Sequence, residues 1–151
     1  MQIHQKKFSE LTTTELYQLL KLRSDVFVVE QTAIYQDLDD LDYQATHFFI
    51  KEQDTIVSYV RTMPYGVKFD EASSLGRVVS YPNVRNKGYS KALIKAAIAH
   101  LFQSETIIRI EGQSYLRKFY ESFGFEVISD IYLVDGIDHY AMELRKKGSS
   151  T

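Results

Sequence analysis

Apolar positions along this chain follow two periods, and each change of period marks a change of element. Leu16, Leu19, Leu20, Val26 and Phe27 recur at helical spacing behind Thr12-Thr13-Thr14-Glu15, a capping box, and predict a helix from Thr13 to about Val29. Residues 30–44 are polar and acidic without period and read as a connection. Thr46 to Glu52 and Thr55 to Met63 alternate around Gln53-Asp54, the pattern of an antiparallel hairpin, which Pro64-Tyr65-Gly66 closes. Gly76 to Ser80 predicts a third central strand. Leu93, Ile94, Ala97, Ile98 and Leu101 then mark the buried face of a helix over Ser90–Phe102. Thr106 to Ile110 is a short β run. Leu116, Phe119, Tyr120 and Phe123 follow at i, i+3, i+4 and i+7, with Gly124 as the helix's C-terminal glycine. Phe125–Leu133 and Ile137–Leu144 read as a hairpin across Val134-Asp135-Gly136. With a strand ahead of the first helix, the order is β-α-β-β-β-α-β-α-β-β. That predicts an α/β (α+β) fold with a mixed central sheet of six or seven strands flanked by helices. Residues 1–145 are expected to form a single domain, and Lys146 to Thr151 a tail that frays.

One junction in this pattern carries chemistry. Arg85-Asn86-Lys87-Gly88-Tyr89-Ser90 joins the strand ending near Val79 to the helix that begins at Ser90. The first N–H groups of a helix have no internal partner and sit at the positive end of its dipole, so such a junction binds anions. Gly88 permits close backbone approach, and Arg85 and Lys87 add full charges. A Walker loop is excluded because no Gly-Lys-Ser/Thr triplet is present. Only one glycine of a dinucleotide fingerprint occurs. The residues point to a pyrophosphate site.

Composition narrows the class. With 44% apolar residues there is material for one real core. A net charge of −2 argues against a general nucleic-acid binder while allowing a local basic pocket. The chain lacks cysteine, which removes disulfides, thiolate metal sites and any cysteine nucleophile, and suits a reducing cytoplasm. The N-terminal residues show no signal-peptide pattern. The longest apolar helical segment, Ala92 to Phe102, is interrupted by Lys95 and His100 and is too short to span a bilayer. A cytoplasmic location without membrane contact is therefore expected.

The basic turn resembles the Q/R-x-x-G-x-G/A motif of the GCN5-related N-acetyltransferases (GNAT), with Ser90 in place of the last glycine or alanine. Phe119-Tyr120-Glu121-Ser122-Phe123-Gly124-Phe125 resembles the second signature of that superfamily, a tyrosine four residues ahead of Gly-Phe. Arg23 to Gln31, Tyr35 to Asp39 and Tyr132 to His139 are similar to its ElaA-type subgroup. The resemblance implies acyl transfer from acetyl-CoA, as co-substrate, to a primary amine of a small molecule or peptide, by direct attack in a ternary complex. It implies that Val78, Val79 and Ser80 pair with the pantetheine arm, with a Val79 N–H polarising the thioester carbonyl. Residues Arg85, Asn86, Lys87, Gly88, Tyr89 and Ser90 would hold the pyrophosphate, with Gln113 and Tyr120 also on the coenzyme. Tyr120 stands where the family places the acid for the departing thiolate; the plainer reading is a core tyrosine.

The acceptor side is less defined. A lysine-like amine is neutral in only about one molecule in 2,500 at pH 7, so a base or a low-pKa substrate is required. His47 and then Glu111 are the candidates, although a histidine beside Phe48 and Phe49 also reads as a structural residue. Phe27, Glu30, Asp39 and His47 are the candidate substrate contacts. The acidic run Asp37-Leu38-Asp39-Asp40-Leu41-Asp42 is either a solvated loop or an anionic wall for a cationic substrate. It is no EF-hand, since Asp42 and Phe48 occupy the positions that need glycine and glutamate. No metal is expected, His139 and His47 having no ligand spacing, and His100 reads as solvent-facing. The rival reading is a regulatory module that binds acyl-CoA without turnover. Strand edges at the C-terminal hairpin leave a homodimer open.

Overall fold

The computed structural model describes residues 1–148. Strands β1 (His4–Lys7), β2 (Thr46–Glu52), β3 (Thr55–Met63) and β4 (Ser74–Ser80) form an antiparallel sheet in chain order. The β2–β3 turn is tight because Gln53 and Asp54 both take positive φ (+51° and +63°), a turn whose twist matches that of the strands. Between β3 and β4 the register pairs Tyr59 with Val79 but Arg61 with Gly76. Val60 therefore faces two residues, and β4 bulges at Arg77, which sits at φ +53°.

The second sheet is built around β8 (Ile137–Arg145), flanked by β5 (Ile107–Gln113) and by β6 (Glu126–Val127), with β7 (Tyr132–Val134) also pairing with β8. The two sheets join where β4 and β5 start. Ser73 N–H donates to Ile107 C=O (3.1 Å), and Arg109 N–H donates to Ser73 C=O (2.9 Å), a parallel bridge. Beyond it the strands part. The mixed sheet of about six or seven strands expected from the sequence thus has eight among the described residues, in two four-stranded halves splayed from one hinge point.

Helix α1 (Thr13–Arg23) is capped as predicted: Thr12 Oγ1 accepts from Glu15 N–H, and Glu15 Oε1 accepts from Thr12 N–H, both at 3.0 Å. Its Leu19 and Leu22 pack on Phe49, Ile56 and Tyr59, one face of the first sheet. The helix continues through Ser24–Glu30 to roughly its predicted end, but as a π-helix. Gln31 N–H donates to Val26 C=O and Ala33 N–H to Val28 C=O, five residues back. On the sheet's other face, α2 (Tyr89–Leu101) packs Leu93, Ile94, Ala97 and Leu101 against Phe48, Val60 and Ile108. His100 is half-buried rather than solvent-facing, edge-on to Phe48 and 3.1 Å from Gln5. A shorter helix, α3 (Arg117–Glu121), is followed by a turn that closes at Gly124, with φ +100°.

The strand expected over Phe125–Leu133 is interrupted between β6 and β7. Ser129 Oγ accepts from Ala141 N–H at 2.9 Å, so a side chain replaces the backbone partner and the chain leaves the ladder. The hairpin turn beyond is the expected one, with Asp135 and Gly136 at φ +50° and +78°. Lys146 is tied down rather than frayed: its N–H donates to Thr106 C=O (2.9 Å) and its Nζ to Phe102 C=O (2.7 Å). The rest of the expected tail from residue 149 onward lies outside the described residues. Among the described residues no helix is long and apolar enough to cross a membrane.

Candidate active site

The splay between β4 and β5 opens a cleft of about 460 Å³. One wall is Leu75 to Ser80; the other is Ile110, Glu111 and Gln113 with Ile137 and His139 of β8. The π-helical segment supplies Val26, Phe27 and Glu30, and α3 supplies Phe119 and Tyr120. Past the Ser73 bridge, β4 has a partner on its β3 side alone. The alternation of N–H directions follows from the register. Tyr81 N–H donates to Val57 C=O (3.0 Å), so Val79, two residues earlier and opposite Tyr59, also turns its backbone groups to β3. This corrects the expectation for Val79: the backbone groups that face the cleft are those of its neighbours Val78 and Ser80. The short Ser58–Ser80 hydroxyl contact (2.7 Å) agrees with that assignment, because non-hydrogen-bonded pairs bring their side chains closest.

The strand leads into a 3-10 turn, Pro82–Lys87, and Gly88 at φ +77° swings the chain into α2. The first intrahelical bond runs from Ala92 N–H to Gly88 C=O, leaving the N–H groups of Tyr89, Ser90 and Lys91 without an intrahelical partner. Arg85 and Ser90 line the cleft; Asn86, Lys87, Gly88 and Tyr89 shape the turn outside its lining. The two cations of the turn are already partnered. Arg85 makes a bidentate pair with Glu30 (2.7 Å twice) and donates Nε–H to Ser80 C=O (3.1 Å). Lys87 and the Tyr89 hydroxyl both bind Glu52, at 2.8 and 2.5 Å. Ser90, the departure from the family pattern, directs its hydroxyl to Ser80 Oγ at 2.8 Å, continuing the Ser58–Ser80 chain. The anion end therefore consists of backbone N–H groups more than of free charges.

Tyr120 is 7% exposed, packed among Phe119, Phe125 and Met142, and its hydroxyl has no protein partner among the described residues. Burial, with Tyr115 adding to it, raises its pKa well above the ordinary phenol value, so it stays protonated. Gly112 makes room for its ring: a Cβ there would lie 3.2 Å from Tyr120 Cδ2. Glu111 lines the cleft but is shared, accepting from the Tyr132 hydroxyl (3.0 Å) and pairing with Lys68 (3.2 Å). Tyr35, Arg77 and His139 are cleft residues that the pattern of the sequence did not single out as such, and neither was Gly112 behind the Tyr120 ring. The alternation of β8 could have indicated His139, since it shares a face of the strand with Ile137, which also lines the cleft.

His47 and Asp39 are not in the cleft. The His47 ring is fully buried behind β2, its Nε2–H donating to Asp42 C=O (3.0 Å) and its Nδ1 accepting from the Tyr59 hydroxyl (2.5 Å). Burial lowers its pKa, so it is a neutral core histidine with both nitrogens engaged. This corrects its placement as base and substrate contact. The acidic run is neither a solvated loop nor an anionic wall. Arg23 binds Asp37 and Asp42, Arg61 binds Asp39 and Asp42, and Arg77 on the bulge pairs with Asp37 and Asp39. Burial pushes the Asp39 carboxyl up, but Arg61 and Arg77 outweigh it and hold the group well below the usual range. Three guanidiniums thus fasten the loop to α1 and to the sheet, and the Tyr35 hydroxyl on the cleft side donates to Asp37 (2.8 Å).

Comparison with known proteins agrees with this geometry. Residues 12–146 match the family model described as an acetyltransferase (GNAT) domain. The ElaA protein of Escherichia coli is 34% identical over 139 residues, covering 89% of this chain and 90% of that one. A UPF0039 protein of Schizosaccharomyces pombe is 35% identical over 143 residues, covering 92% and 93%. Among solved structures, E. coli ElaA superposes with a TM-score of 0.85 at 31% identity, covering 97% of this chain and all of that one. An acyl-CoA N-acyltransferase from Pseudomonas aeruginosa gives 0.85 at 30% identity, covering 95% and 99%. A splayed β4–β5 pair ending on an uncapped helix, and a match over nearly the whole length, agree: the chain belongs to the GNAT acetyltransferase family.

Proposed function

We propose that this protein is an N-acetyltransferase that moves the acetyl group of acetyl-CoA to a primary amine of a small molecule or peptide, by direct attack. The carrying observation is the half-paired strand β4, whose cleft-facing backbone at Val78 and Ser80, the Ser80 carbonyl shared with Arg85, leads to the N–H groups of α2 that lack an intrahelical partner. Such an edge takes an extended amide chain as an added strand, and such a helix end takes the diphosphate that follows it. Both features fit the coenzyme: its pantetheine arm carries amides and its pyrophosphate carries the charge. The Val78 N–H supports the polarising role first expected of Val79.

Tyr120 supplies the proton for the departing sulfur. Its high pKa makes it a weak acid in water, but the thiolate leaves into the same dry wall, which raises the thiol's pKa too. The acceptor amine enters past Phe27 and Glu30, opposite the β8 wall. Of the two bases first considered, Glu111 alone lines the cleft, and Lys68 and Tyr132 already share its carboxylate. We assign the reaction to the cytoplasm, in line with the cysteine-free composition.

The test is a screen of primary amines with acetyl-CoA, following free thiol release. Wild type should acetylate at least one member. Tyr120→Phe should bind acetyl-CoA as wild type does and lose about 10²- to 10⁴-fold in kcat, the usual worth of a positioned acid. Coenzyme binding without transfer to any amine would favour the regulatory module instead, and unchanged kcat in the variant would remove Tyr120 from the chemistry.

A further inference from the structure

We propose that His139 is the general base that deprotonates the acceptor amine, an inference that rests on the N-acetyltransferase reading above. His139 lies on β8 opposite Gln113 of β5 and Tyr132 of β7, so its side chain shares the cleft-facing row of the second sheet. The residue is 8% exposed and lines the cleft. Its Nδ1 stands 2.7 Å from the carbonyl oxygen of Ile137. A carbonyl only accepts, so Nδ1 carries the hydrogen, and the neutral ring keeps its lone pair on Nε2. No protein group engages Nε2 among the described residues.

Most other titratable side chains of the cleft are held by protein partners, and Tyr115 is largely exposed. Glu30 is held by Arg85, Glu111 by Lys68 and Tyr132, and Arg77 by Asp37 and Asp39; the Tyr35 hydroxyl donates to Asp37. Asp135 sits exposed on the hairpin turn, where water solvates it. His139 is the cleft group that combines burial, a fixed tautomer and an uncommitted lone pair. Tyr132 stands opposite it on β7, Glu111 lies two residues along on β5, and Glu111 and Tyr120 line the same cleft.

The step balances as follows. His139 Nε2 takes a proton from the incoming ammonium group, and the freed amine nitrogen bonds to the acetyl carbon. The carbon–sulfur bond then breaks, sulfur takes the Tyr120 hydroxyl proton, and the attacking nitrogen's second proton returns to Tyr120. His139 passes its proton to water. One amide, one free thiol and one proton in solution result.

His139→Asn is the direct test, because its amide NH2 replaces the Nδ1–H donor to Ile137 C=O while supplying no base. Kinetics are measured with an amine found in the screen, alongside acetyl-CoA binding by calorimetry. The expected result is unchanged coenzyme affinity and a fall of about 10²- to 10⁴-fold in kcat/KM at neutral pH. The acid limb of the wild-type profile should coincide with the His139 imidazole titration followed by NMR in the intact protein, a readout independent of the variant. The deficit should shrink as pH rises, and be smaller for a peptide α-amine than for a lysine-like amine, because such amines deprotonate themselves. A structural role would produce neither trend. A variant that keeps its rate and its acid limb overturns the role of His139 alone. A wild type that binds acetyl-CoA yet acetylates no amine overturns the underlying reaction, and this assignment with it.

Discussion

Gly112 shows what a single missing carbon does for this cleft. It lies on β5 beside the ring of Tyr120, and an alanine methyl would approach Cδ2 and Cε2 to 3.2 and 3.3 Å, with Met142 Sδ at 3.5 Å behind it. The ring has no slack to retreat, since Phe125, Phe119 and Met142 pack around it. Gly112→Ala should therefore tilt the phenol without changing the coenzyme's backbone contacts. Relieving such contacts takes a shift of a few tenths of an ångström, and since about 1 Å at a reacting group costs up to about 10²-fold, kcat should drop by roughly 2- to 10-fold while acetyl-CoA binding is unchanged. In a Tyr120→Phe background the same substitution should add little, and steady-state kinetics of the four-member cycle checks this. The role was not legible in the chain, because a glycine after Ile110 reads as the end of a strand. The strand in fact runs to Gln113, carries Glu111 and Gln113 into the cleft, and sets Gly112 against the ring of Tyr120.

Among elements, α1 depends on its first turn. Glu15 closes the capping box and also receives Lys6 from β1 and Lys51 from β2, at 2.9 and 3.0 Å. Burial raises its pKa, but the Thr12 N–H and the two ammonium groups outweigh this and hold it at about 2. A carboxyl whose native value lies below its unfolded value stabilises the fold fully above the unfolded value, near 4.5, and loses that contribution as pH falls toward 2. Glu15→Gln should cost about 2–4 kcal/mol at pH 7 and flatten the stability profile between about pH 5 and 2, as urea unfolding across that range would report. An unaltered acid limb in the variant would mean that the ion pairs contribute nothing. The box itself was readable from Thr12 and Glu15, as were both hairpins from Gln53-Asp54 and Asp135-Gly136. These are local devices, encoded within a few residues. The π-helical turns at Ser24–Glu30, the bulge at Arg77 and the break at Ser129 were not readable, because each depends on a partner strand or loop distant in sequence. The acidic run was misjudged for the same reason. Asp37, Asp39 and Asp42 find Arg23, Arg61 and Arg77 only once the sheet has formed.

For the whole molecule, the decisive property is that its two sheets share little backbone. Among the described residues, the bonds that join β4 to β5 are those of Ser73 with Ile107 and Arg109. Beyond them the cleft separates the sheets, so a ligand that lies along β4 and touches the β5 and β8 wall acts as a missing strand between the halves. Anything bound to the folded state alone stabilises it by RT ln(1 + [L]/Kd), about 2.7 kcal/mol at a hundredfold excess over Kd. For a chain of this size that corresponds to roughly 5–10 °C in Tm. Coenzyme A at such an excess should raise the melting temperature by that amount, and pantetheine at the same concentration by much less. The difference arises at the α2 end, where Arg85 and Lys87 are already paired with Glu30 and Glu52 and the diphosphate must be held chiefly by the N–H groups of Tyr89, Ser90 and Lys91. Equal shifts from both ligands in a thermal melt would mean that this helix end binds no anion. The wedge between the sheets would then be an apolar slot, and the turn at Gly88 a structural corner.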